Sequence, residues 1–138
     1  MRNELFYMST SILSVWKEGS FKTNCAMTWV CPNDLEYKTF VFSNDDDGLN
    51  VILEVFGDRD VEFTGSKIFM TRVPSQIFLK AAKQRKVAKV FFLKNLQDYV
   101  IPDEFFGIAQ VFNHDFGKII DTFEQVETIG TNKHKYLL

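Results

Sequence analysis

The sequence predicts an α+β fold, and three observations carry that expectation. Residues before about 73 form short apolar runs with period-2 alternation, separated by turn residues. Residues beyond 100 place apolar side chains at spacings of three and four. Between the two, Pro74 marks the change of pattern. The expected architecture is an antiparallel meander of about five strands over residues 5–73, because strands joined by short turns pair antiparallel. A basic helix or helix–strand segment follows, and a C-terminal helical pair packs with it on one face of the sheet.

The elements follow in order. Leu5 to Trp16 reads as the opening strand, although Ser9, Thr10, Ser11 and Ser14 interrupt its apolar residues. In the next strand Phe21, Cys25, Met27 and Trp29 share one face, with Lys22, Asn24 and Thr28 on a wet one. Pro32-Asn33-Asp34 turns the chain into Leu35–Ser43, where Phe40 and Phe42 lie opposite Tyr37 and Val41. Asn44 to Gly48 is a turn by composition, and Leu49–Phe56 is a strand ended by Gly57-Asp58-Arg59-Asp60. Val61-Glu62-Phe63 and Lys67–Val73 make a strand pair across Gly65.

The second half turns helical. Ile77, Phe78, Ala81, Ala82, Ala88, Phe91 and Phe92 fall near one face of a single helix over 75–96. The alternative is a helix to Arg85 followed by a strand, Val87–Leu93, but no Gly or Asn separates the two. Pro102-Asp103-Glu104 suits a helix start, and Phe105, Ile108, Ala109 and Phe112 then recur at i, i+3, i+4 and i+7. A second stripe, Phe116, Ile119, Ile120, Phe123 and Val126, predicts a helix over 115–127 with Gly130 as its stop. Residues 131–138 are expected to fray.

The 138 residues fit one domain, 1–138, able to bury an ordinary core without staples. With 46% hydrophobic and 25% charged residues the chain is globular, not disordered. Fifteen phenylalanines exceed what a small core holds comfortably, so some are expected at the surface. The opening residues lack a signal-peptide run, and no stretch nears the ~18 apolar residues of a membrane span. The expected partner is therefore not a membrane, and the expected location is intracellular, cytoplasmic. Cys25 and Cys31 lie about 20 Å apart if they share one strand, too far for a disulfide or a shared zinc ion. They read as buried structural thiols.

Charge is segregated along the chain. No Asp or Glu lies between Glu62 and Asp98, a stretch that holds Lys67, Arg72, Lys80, Lys83, Arg85, Lys86, Lys89 and Lys94. The whole chain carries −2, so these eight cations leave −10 for the remainder. Such segregation steers a charged partner. The candidate binding residues are Lys80, Lys83, Arg85, Lys86, Lys89, Lys94 and Arg72. The candidate partners are nucleic acid, whose phosphates release counterions when neutralised, or an acidic protein surface. Phe69, Phe78, Phe91 and Phe92 are candidate stacking platforms wherever they are exposed. A pI near 5.7 points the other way, to a solvated face that balances an acidic remainder.

The acids suggest less. Asp45-Asp46-Asp47-Gly48 lacks the ligand spacing and closing Glu of a calcium loop and reads as a hairpin turn. Asp34-Leu35-Glu36-Tyr37-Lys38 places two carboxylates and an ammonium along a strand, where magnesium-dependent phosphodiester cleavage uses them. These five residues resemble a fragment of the restriction-endonuclease motif. The usual separation between the first acid and Glu-x-Lys is missing, so alternating charge on a strand face is the expected reading. His114 and His134 have no partner at metal-ligand spacing, and phosphate-cradling glycine loops are absent. No cofactor, metal or catalytic residue is expected. The reading is a non-enzymatic binding or regulatory protein that engages a polyanion through 67–94. The alternatives are an interaction module or inhibitor, of viral type, acting through an acidic or aromatic surface, and a small metal-dependent nuclease. The sequence leaves the oligomeric state open.

Overall fold

A computed structural model describes residues 3–18, 23–34, 36–46, 48, 50, 63–93, 101–112 and 135–137. The fold is α+β, built on a mixed sheet. Helix α1 spans Glu4–Glu18, strand β1 Asn24–Val30, β2 Tyr37–Ser43 and β3 Lys67–Met70. Helix α2 spans Gln76–Gln84, β4 Lys89–Phe92, a 3-10 turn Asp103–Phe105, β5 Ala109–Val111 and β6 Lys135–Leu137. The six strands are ordered β5-β4-β3-β1-β2-β6. Among the described residues no helix is long and apolar enough to cross a membrane.

The first correction concerns residues 5–16, which are helical rather than the opening strand. Asn3 caps the helix, its Oδ1 accepting from Phe6 N at 3.0 Å, and Glu4 sits in the first turn, where an acid is favoured. Three of the four hydroxyls that interrupt the apolar pattern are hydrogen-bonded, while Ser9 Oγ is buried without a hydrogen-bond partner among the described residues. Thr10 Oγ1 donates to Phe6 O at 2.9 Å and Ser14 Oγ to Thr10 O at 2.8 Å, each one turn back. Ser11 Oγ donates to Phe69 O at 2.9 Å and meets Thr28 Oγ1 at 2.6 Å, and Thr28 in turn meets Thr39 Oγ1 at 3.0 Å. Residues 6–15 are consequently buried on every side, serines and threonine included.

The β1–β2 hairpin is as the alternation predicts, with Trp29 opposite Lys38 and Asn24 opposite Ser43. The meander ends there. β3 pairs antiparallel with β1 rather than with β2, and β4 and β5 add in parallel. Residues 71–88, with α2 inside them, supply the long crossover that a parallel neighbour requires. Leu49–Phe56 and Val61-Glu62 fall outside the described residues, and Phe63 is helical rather than strand.

Helices cover both faces of the sheet, not one. Cys25, Met27, Trp29, Phe40, Phe42, Ile68, Met70, Val90 and Phe92 pack with Phe78, Leu79 and Ala82 of α2. The alternate positions Val30, Tyr37, Phe69 and Phe91 pack with Phe6, Tyr7, Met8, Ile12 and Leu13 of α1. The face expected to be wet is thus a second core, and Thr28 is fully buried within it.

The shorter of the two expected forms of 75–96 is the observed one. Ser75 Oγ accepts from Phe78 N at 3.0 Å and starts α2. The helix closes with Lys86 N donating to Lys83 O at 3.1 Å and Val87 N to Ala82 O at 3.0 Å, around Lys86 in the left-handed region at φ 61°. Glycine normally occupies that position, so its absence concealed the helix end.

The helix expected over 102–113 is a 3-10 turn and a strand. Val90 N donates to Ile108 O at 2.8 Å and Phe112 N to Phe92 O at 2.7 Å, so the backbone of this segment pairs with β4. Its apolar residues split between the two cores, with Phe105 and Ile108 on the α2 side and Phe112 on the α1 side. The helix expected over 115–127 lies outside the described residues. Lys135–Leu137, within the tail expected to fray, runs parallel to β2.

Candidate polyanion-binding surface

Parallel strands give the sheet two distinct ends. At one end β3 and β4 begin with Lys67 and Lys89 in register. Both share the alternation of Phe69 and Phe91 and so stand on the α1 side of the sheet, half-buried. Helix α2, running back between those strands, brings its last turn to the same end with Lys83, Arg85 and Lys86. Lys80 lies almost one turn earlier. Lys80, Lys83 and Lys86 are exposed, and Arg85 is half-buried with its guanidinium 5.8 Å from the Phe63 ring centroid.

The Asp103–Gly107 turn lies against this end. Lys83 Nζ donates to Glu104 O and Lys89 Nζ to Gly107 O, both at 3.2 Å. Lys83 Nζ also lies 5.8 Å from the Phe105 ring centroid. Each ammonium has three donors, so one carbonyl leaves two for an outside acceptor. The same turn carries Asp103 and Glu104, both exposed, to within reach of the lysines. The acid-free stretch in sequence is therefore not an acid-free surface.

Arg72 does not join this group. It follows β3 at the opposite end, where Nη1 donates to Asn44 O at 2.6 Å and to Asp46 O at 3.1 Å. Those bonds clamp the turn after β2, in which Gly48 N also donates to Asp46 Oδ1 at 2.8 Å. Burial pushes the nearby Cys25 thiol up to about 11, although Arg72 acts to lower it. Lys94 lies outside the described residues.

The four phenylalanines considered as stacking platforms, Phe69, Phe78, Phe91 and Phe92, are all buried in the two cores. The large apolar side chains exposed among the described residues are Trp16, Ile77 and Phe106. Phe106 belongs to the turn held by Lys83 and Lys89, and it is 62% exposed. The sequence offered no signal for it, because the residue lies outside the basic stretch and beside a stripe that reads as helix.

Of the Asp34–Lys38 fragment, Asp34 and Glu36 lie in the hairpin turn, Tyr37 and Lys38 begin β2, and Leu35 lies outside the described residues. Lys38 Nζ pairs with Glu36 Oε1 at 3.4 Å, and Asp34 adopts φ 61° within the turn. Cys31 is half-buried in that turn, its Sγ accepting from Glu36 N at 3.1 Å and donating to Asn33 Oδ1 at 2.8 Å. Neither cysteine is in a disulfide. Among the described residues no group of three or more His, Cys, Asp or Glu side chains is placed to hold a metal ion. His114 and His134 lie outside them. Comparison with protein-family models and with curated proteins finds no match to the chain.

Proposed function

We propose that this is a non-enzymatic binding protein that engages a polyanionic partner through Lys67, Lys80, Lys83, Arg85, Lys86 and Lys89. The observation that carries the reading is that five of these six, Lys80 apart, converge on one end of the sheet from three successive elements, β3, α2 and β4. Cations in the last turn of a helix also complement its dipole, which accounts for Lys83 without any partner. The dipole does not account for Lys67 or Lys89, which begin strands. Nor does it account for a lysine at φ 61°, where a side chain costs on the order of 1 kcal/mol relative to glycine. Strain kept at an exposed charged position supports a role in binding.

The test is binding of the full chain to DNA, RNA and polyglutamate at about 50 and 200 mM salt, where each neutralised phosphate of a duplex contributes a slope near −0.9. Replacing Lys80, Lys83 and Lys86 together by Glu is expected to weaken binding by at least tenfold and to flatten that slope, with the melting temperature nearly unchanged. Lys86→Gly is expected to raise stability by about 1 kcal/mol while weakening binding, which separates the two roles. The reading fails if the chain binds none of the three polymers at low salt, or if the folded triple variant binds as the wild type does.

A further inference from the structure

We propose that the partner is a single-stranded nucleic acid and that Phe106 is the platform on which one of its bases stacks. This rests on the polyanion reading above and names the partner class for the same surface. Single-strand binders combine a basic track for the phosphates with an aromatic ring for the bases. Here the ring and the cations belong to one construction. Phe106 N donates to Asp103 O at 3.2 Å and Ile108 N to Phe105 O at 3.0 Å, which fixes the backbone on both sides of the ring. The Lys83 and Lys89 ammonium groups hold the carbonyls of Glu104 and Gly107, two residues before Phe106 and one after it. Phe106 therefore projects from a turn whose backbone those two cations hold on either side of it.

The Phe106 side chain is exposed, and the neighbouring Gly107 adds no side chain to the turn. Trp16 and Ile77 do not compete for this role. Ile77 is in the first turn of α2 and Trp16 in the last turns of α1, beyond Val15, which packs with Ala26 and Val41. Both positions are at the Arg72 end of the sheet. A single exposed ring on a turn that carries Asp103 and Glu104 and is held by Lys83 and Lys89 is poorly suited to anchoring an apolar protein surface, which buries a contiguous patch. Stacking needs one π-face and adjacent positive charge, and this surface has both. A base paired inside a duplex offers its faces only to its neighbours, so the ring selects unpaired strands.

The experiment measures anisotropy of labelled oligothymidine and of a duplex of equal length with the full chain and its variants. The wild type is expected to bind the single strand more tightly. Phe106→Ala should weaken single-strand binding roughly five- to a hundredfold, the range set by one lost stacked base, with duplex binding and salt slope unchanged. Phe106→Trp should restore single-strand affinity. The stacking proposal is overturned if folded Phe106→Ala keeps wild-type affinity for oligothymidine while the Lys80/Lys83/Lys86→Glu variant loses it, an outcome that leaves the polyanion reading standing. Binding to polyglutamate alone, or a preference for duplex, also overturns stacking and not the polyanion reading. Absence of binding to every polymer sinks both.

Discussion

Helices α1 and α2 lie on opposite faces of one sheet and are stabilised in different ways. α2 has a buried side of Phe78, Leu79 and Ala82 and an outward side of Lys80, Lys83 and Gln84. α1 is buried all round from Phe6 to Val15, yet five of those ten residues, Tyr7, Ser9, Thr10, Ser11 and Ser14, carry hydroxyls. A buried hydroxyl is tolerated once it is bonded, and those of Thr10, Ser11 and Ser14 are bonded to backbone carbonyls. Polar composition does not by itself mark a surface helix. Charge does, because a lysine cannot be satisfied by one neighbouring carbonyl in a dry core. α2 is thus free to present a binding face and α1 is not.

The sharpest way to break this contrast is to exchange the two kinds of side chain. Ser11→Lys places an unpaired ammonium between α1 and the sheet and is expected to cost roughly 3–5 kcal/mol, while Lys80→Ser on α2 should stay within about 0.5 kcal/mol. Urea denaturation of both variants checks this, and a stable Ser11→Lys protein would mean that α1 is not buried as described.

A subtler pair of substitutions asks what the hydroxyls contribute. Ser11→Ala leaves Phe69 O without its side-chain donor in a dry interface and should cost about 1–3 kcal/mol. Ser75→Ala removes only the cap of α2 and should cost about 1 kcal/mol. Equal losses for the two would erase the distinction between a hydroxyl that joins layers and one that starts a helix.

The smallest effect is in the pH dependence. Cys25, whose thiol burial raises to about 11 from an ordinary 9.0, keeps its proton in the folded state after the unfolded chain has lost it. Its contribution to stability is therefore complete below about pH 9 and falls away as the pH rises toward 11. Cys25→Ala should show a shallower loss of stability over that interval than the wild type, measured by chemical denaturation at successive pH values. Identical slopes would show that the thiol is not desolvated.

Alternation and turn residues decided the β1–β2 hairpin. Pro32-Asn33-Asp34 reverses the chain, and period-2 burial puts Met27, Trp29, Phe40 and Phe42 on one face, which a one-residue slip of either strand would break. The start of α2 was equally legible, since Ser75 and the apolar spacing after it are local signals. The basic residues of the candidate surface were legible as a run of charge, but not as an arrangement. Only tertiary structure moved Arg72 to the other end of the sheet, brought Asp103 and Glu104 beside the lysines, and set Phe106 among them. The same holds for α1, for the closure of α2 at Lys86 and for β5. Each depends on a partner outside the segment itself: Phe69 O and Thr28 for the Ser11 hydroxyl of α1, the parallel β3 that β4 must reach after a short helix, and the edge of β4 for residues 109–111. Local patterns report what a segment's own backbone and side chains prefer. Satisfying a buried hydroxyl or pairing a free strand edge is worth as much as those preferences, and the groups that do it are fixed only when the chain has folded.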